Sequence, residues 1–152
     1  MRKSLALFLL AAPAFAAPKP VVHWQVTNPP AKALKRGTKL NLTLTGQIDP
    51  GWHLYALEEP QGGPIATEIN LAEGSPADLI RVEEQKPKIV PDPIYQLPTG
   101  FFEQSANFTL HLQLDKSASA HPIQILIRYQ SCNDRVCLPP HTDTVDVPLT
   151  TN

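Results

Sequence analysis

The sequence predicts an all-β protein, an immunoglobulin-like antiparallel β-sandwich, and three observations predict it. Apolar residues alternate with a period of two along most of the chain, where a surface helix would repeat every 3.6 residues. Seventeen prolines and seven glycines interrupt the chain so often that no helix of ordinary length fits between them. Turn signals, DPGW from Asp49, EGSP from Glu73 and LPTG from Leu97, separate about eight short candidate strands.

In chain order, VVHWQV from Val21 is the first candidate, with short alternation. KLNLTLT from Lys39 is stronger: Leu40, Leu42 and Leu44 face one way and polar residues the other. GWHLYA, TEINL and DLIRVEE follow as shorter candidates, beginning at Gly51, Thr67 and Asp78. The segment EEQKPKIVPDPIYQLPTGFF, from Glu83 to Phe102, reads as an irregular loop over one end of the sandwich. Pro87, Pro91, Pro93 and Pro98 each remove a ladder donor there. NFTLHLQL then sets Phe108, Leu110, Leu112 and Leu114 on one face, and after the polar turn DKSASAH, PIQILIRYQ does the same with Ile123, Ile125, Ile127 and Tyr129. TVDVPL from Thr144 closes the order. The acids Glu58, Glu59, Glu83 and Glu84 read as a solvated face.

The first residues have a different logic. Arg2 and Lys3 precede an apolar run from Leu5 to Ala14 and the small-residue pattern Ala14-Phe15-Ala16, which is the layout of a secretory signal peptide over residues 1–17. The run is shorter than the roughly 20 residues a bilayer span requires. The expectation is one exported domain over residues 18–152, with no membrane span after signal removal, placed in a periplasm and acting as a monomer. Of 13 basic residues, Arg2 and Lys3 leave with the signal; against 14 acidic ones the exported domain is net acidic, at about −3. That balance argues against nucleic acid as a partner.

Export makes disulfide chemistry available. The chain holds two cysteines, Cys132 and Cys137, with four residues between them, in YQSCNDRVCLPP. The polar NDRV is suited to turning, so the pair can close a small ring. Closing so short a loop is worth roughly 2 kcal/mol by chain entropy, at the low end for disulfides. The position at a strand end beside Asn133, Asp134 and Arg135 argues for exposure. A guanidinium such as Arg135 favours thiolate, and Asp134 opposes it. Three readings stay open from these residues: a local clip on a loop, a reactive dithiol couple, and a copper or zinc carrier using Cys132, Cys137 and His141. The metal reading is short of ligands, since a closed zinc site wants four.

The run RYQSCNDRVCLPP, with GWHLYA upstream, resembles the amino-terminal periplasmic domain of the thiol:disulfide interchange protein DsbD, over roughly Val21 to Leu149. The resemblance implies an immunoglobulin-like redox module, a thiol-disulfide oxidoreductase acting as an electron carrier, without cofactor or metal. It implies that Cys132 and Cys137 are the redox couple, that Cys137 forms the mixed disulfide with a partner and that Cys132 resolves it. The partners it implies are a thioredoxin-like or membrane-embedded electron donor and, as acceptors, oxidised envelope proteins. His53 and Tyr55 correspond to the family's aromatic residues beside the cysteines, with Trp52 turned to the core. Asp92, Ile94 and Tyr95, in PDPIYQ, correspond to a cap loop over the cysteines. The chain departs from the family in three ways. The cysteine spacing is four residues where five is usual. Ile94 stands where phenylalanine is usual, which leaves Tyr95 as the shielding side chain. No transmembrane or thioredoxin-like domain accompanies the module, so the electron donor is expected to be a separate protein.

Overall fold

The computed structural model describes residues 19–116 and 121–150. The signal peptide expected over 1–17 lies outside the described residues, as does most of the polar turn after Asp115. Among the described residues there are eleven β-strands and no helix. They are β1 (Val22–Val26), β2 (Lys39–Ile48), β3 (His53–Tyr55), β4 (Glu68–Leu71), β5 (Ala77–Glu84) and β6 (Lys88–Pro91). After these come β7 (Pro98–Glu103), β8 (Ser105–Leu114), β9 (Ile123–Tyr129), β10 (Ser131–Cys132) and β11 (His141–Val147). All pairings are antiparallel, in the orders β1-β2-β8-β5, β11-β9-β4 and β10-β3-β7-β6. This is the all-β, immunoglobulin-like sandwich that the alternation predicted.

The core lies where the strongest alternation put it. Leu42 and Leu44 on β2, Phe108, Leu110, Leu112 and Leu114 on β8, and Ile123, Ile125 and Ile127 on β9 are essentially without solvent contact and share one cluster. Each such side chain is worth about 1.5–3 kcal/mol of burial, so these three strands hold the sandwich together. Trp24 of β1 packs on Phe108 and Tyr129, with ring centroids 6.0 and 5.5 Å away.

The proline-rich segment is not irregular. It forms the β6–β7 hairpin, with Lys88 paired to Phe101, Ile89 to Gly100, Val90 to Thr99 and Pro91 to Pro98. The prolines are accommodated because they occupy places that need no ladder donor. Pro87 precedes β6, Pro91 and Pro98 face each other at the turn, Pro93 lies in the turn, and β6 is the edge of its sheet. Beyond the prolines the Asp92 N–H donates to the Leu97 carbonyl at 2.8 Å, and Gln96 adopts a left-handed φ of 56° to close the loop.

Candidate functional site

The site grows out of β3. Strand alternation sends Leu54 into the main core and turns His53 and Tyr55 to the opposite face, where both are buried. Trp52 is half-buried against the main core. On one side β10 sets Cys132 opposite His53, and on the other β7 sets Glu103 opposite His53 and Phe101 opposite Tyr55. One face of three strands thus gathers Cys132, His53, Tyr55 and Phe101. A second, smaller cluster follows, made of Tyr55, Phe101 and Cys132 with Val90, Tyr95 and Cys137 packed on it.

Cys132 and Cys137 are joined by a disulfide. Asn133 makes the turn between them: its Oδ1 accepts the N–H groups of Arg135 and Val136, both at 2.9 Å, and its own N–H donates to the Val136 carbonyl. The loop residues Asp134, Arg135 and Val136 are exposed, but the bridge is not laid open as the polar flank suggested. Cys132 is 0% exposed and Cys137 is half-buried. The reason is tertiary: β10 is drawn into the sheet beside β3, and the β6–β7 turn lies over it. Arg135 is on the outer side of the loop, and its hydrogen bond there is through its backbone N–H.

That turn is built on Asp92, which is 2% exposed. Its Oδ1 accepts the N–H groups of Ile94 at 2.8 Å and Tyr95 at 3.0 Å, while its Oδ2 accepts the Tyr55 hydroxyl at 2.8 Å. His53 Nε2 lies 3.2 Å from the Tyr55 hydroxyl and 4.0 Å from Asp92 Oδ2. Tyr95 packs edge-on against Tyr55 and donates its hydroxyl to Gln130 Oε1 at 3.3 Å. Ile94 points outward, 39% exposed. So Tyr95, not Ile94, contacts the cysteine cluster.

Charge in the cluster is confined to Asp92. Burial pushes its carboxyl up, but the Tyr95 N–H, the Tyr55 hydroxyl, the Ile94 N–H and His53 outweigh that and hold it below the ordinary carboxylate value. Burial pushes the Tyr55 hydroxyl far up, reinforced by Asp92, so it stays a donor. Burial lowers the His53 imidazole, against the opposing pull of Asp92, Asp134 and Glu103, so the ring is neutral near pH 7.

Phe101, Thr99, Gln130 and Glu59 also belong to this neighbourhood and escaped sequence reading. Phe101 and Thr99 were hidden by the prolines around them, although the adjacent aromatics of GFFE are a strand signal. Glu59 and Glu84 are not on a solvated face. Glu59 accepts the N–H groups of Ala56 and Gly100, tying the end of β3 to β7, and Glu84 accepts the Leu57 N–H. His141 is bonded instead to Asp143, 2.9 Å from Nε2 to Oδ1, and among the described residues no three His, Cys, Asp or Glu side chains come together as a metal site.

Fold and site together define an immunoglobulin-like β-sandwich of the thiol–disulfide interchange class, with its disulfide at a sheet edge under a hairpin turn. The chain belongs to the family described as the amino-terminal domain of the thiol:disulfide interchange protein DsbD, whose sequence profile matches residues 19–149. Comparison with curated proteins found no match. The solved structures that share the fold include two. One is the DsbD amino-terminal domain of Neisseria meningitidis in the reduced form, at 16% identity and a TM-score of 0.52, covering 78% of this chain and 81% of that one. The other is the N-terminal periplasmic domain of ScsB from Proteus mirabilis, at 17% identity and a TM-score of 0.58, covering 84% of this chain and 45% of that one.

Proposed function

We propose that this domain is a periplasmic electron carrier. It takes two electrons from a thioredoxin-like or membrane-embedded donor and passes them to oxidised envelope proteins through the Cys132/Cys137 couple. One observation carries the reading: the disulfide has one sulfur-bearing residue sealed in the sheet and the other half-buried at its edge, beneath a turn anchored on the same cluster. That asymmetry suits Cys137 to meet a partner and Cys132 to resolve the mixed disulfide. Asp92 and Tyr95 then act as the shield, Ile94 presents an apolar tip to the partner, His53 and Tyr55 support the cluster, and Arg135 lies on the docking rim.

The complete burial of Cys132 also favours a second reading, a structural clip on a binding domain. Equilibrating the protein in graded thiol buffers and trapping free thiols decides between them. A midpoint in the span of working exchange proteins, roughly −120 to −270 mV, with fast equilibration by a thioredoxin-like donor, is the expected result. A midpoint below about −300 mV, or a bridge that resists reduction until the protein unfolds, overturns the carrier reading.

A further inference from the structure

The register across three strands aligns Cys132 on β10, His53 on β3 and Glu103 on β7 in a single row on one sheet face. Residues paired in this way have Cβ atoms about 4.5–5.5 Å apart, so His53 is the cross-strand neighbour of Cys132 on that face. The hydrogen bonds then assign the ring's atoms. Asp92 is ionised and can only accept, so the single Tyr55 proton goes to Asp92 Oδ2. The Tyr55 oxygen must therefore accept from His53, which places the imidazole proton on Nε2 and leaves the lone pair on Nδ1. His53 also lines an open cleft with Trp52, Glu103, Gln104 and Asp134. The ring thus stands between a sealed sulfur and water.

A sealed sulfur needs such a neighbour. Cys132 has no solvent contact, so a thiolate left on it in the apolar cluster is costly and cannot take its proton from bulk water. Cys137, only half-buried, does not share this problem.

We propose that His53 delivers and removes the proton of Cys132 during exchange, an assignment that rests on the carrier function above. On reduction a donor thiolate attacks Cys137 Sγ, the internal disulfide breaks, and its electron pair leaves on Cys132 Sγ. That new charge draws a proton onto His53 from the cleft, and the ring passes it to Cys132. The donor's second thiolate attacks the donor sulfur of the mixed disulfide and releases Cys137 as thiolate, so two electrons have entered. On delivery the Cys137 thiolate opens the acceptor disulfide, whose departing sulfur takes a proton from solvent. His53 Nδ1 then takes the Cys132 proton to the cleft, and Cys132 attacks Cys137 Sγ and expels the acceptor's second sulfur. The groups facing the ring are Asp92 from the turn, Asp134 from the cysteine loop, Glu103 from β7, Lys88 from β6 and the Tyr55 hydroxyl. The carboxylates favour the charged ring and Lys88 opposes it.

The test mixes the reduced protein with dithionitrobenzoate under stopped flow. Attack by Cys137 releases one coloured thiolate and ring closure by Cys132 releases a second. Read from about pH 5 to about pH 9, the second phase of the parent should show an imidazole inflection. His53→Gln, which retains a donor for Tyr55, should slow that phase on the order of 10²-fold, remove the inflection and leave the first phase unchanged. Equal second-phase rates with the same pH profile would overturn the assignment while leaving the carrier function intact. A parent bridge that cannot be reduced in the folded state overturns both. Nitrogen NMR of the parent protein, independent of any variant, should show the His53 Nδ1 resonance moving between oxidised and reduced forms; an unchanged resonance overturns the assignment.

Discussion

At the scale of single residues, the most informative side chain outside the cysteine cluster is Glu59. It is half-buried, it ties the end of β3 to β7 through two backbone N–H groups, and burial pushes its carboxyl up to about 7 despite those donors, with Glu84 and Asp92 adding to the rise. A group held above its ordinary 4.5 in the folded state contributes stability that is full below 4.5 and lost as pH rises through about 7. Glu84 is shifted in the same direction, burial again the leading cause. Asp92 has the opposite sign: its contribution is present above its ordinary 3.8 and is lost as pH falls through its lower folded value. His53, lowered by burial, adds stability as pH rises towards its ordinary 6.5, so the net decline in thermal melts of the oxidised protein should show above about pH 6.5 and be complete by about pH 8. Glu59→Gln should flatten that decline, its melting temperature matching or exceeding the parent's at the upper end. Equal destabilisation of the variant at both pH values would show that Glu59 acts through its hydrogen bonds alone. No periodicity could have revealed this residue, because its burial depends on where Gly100 lies, 41 positions away. His53 and Tyr55 were more legible, since strand alternation about Leu54 is enough to assign their shared face.

At the scale of elements, β8 and the β6–β7 hairpin are opposite cases. Every second residue of β8 is buried, so its sequence states its geometry directly. The hairpin's prolines state what the backbone cannot donate, and whether that matters depends on which strand edge faces a neighbour. β1 shows a third kind of dependence. Trp24 lies across Gly46 of β2, its register partner, and a Cβ on Gly46 would stand 2.9 Å from the indole and 3.0 Å from Val22. The indole is already held between Phe108 and Tyr129 and has little room to retreat. Gly46→Ala should cost about 1–3 kcal/mol in urea unfolding, through overpacking. A cost below a few tenths would mean that β1 moves freely on the sandwich.

At the scale of the whole molecule, the main core contains neither cysteine, and the disulfide closes a loop of sequence separation 5. Its contribution by chain entropy is about 2 kcal/mol, small beside the burial on β2, β8 and β9. Reduction of the folded protein should lower its unfolding free energy by about that amount while a cooperative transition and native near-ultraviolet dichroism persist. Loss of cooperativity on reduction would make the bridge a staple of the fold, and a carrier cannot operate with one.

By itself the sequence determined the fold class, the main core and the proximity of the two cysteines. All three follow from local period and spacing, which are properties of a strand or a loop before it packs. The face shared by His53 and Tyr55 followed in the same way. Only the tertiary structure decided that Cys132 is sealed from solvent, that the proline segment is a hairpin over it, and that Asp92, Tyr55 and His53 form one hydrogen-bonded chain beside it. Those outcomes depend on which strands become neighbours, and a contact at a sequence separation of 37, Tyr55 to Asp92, leaves no mark on the local pattern of either.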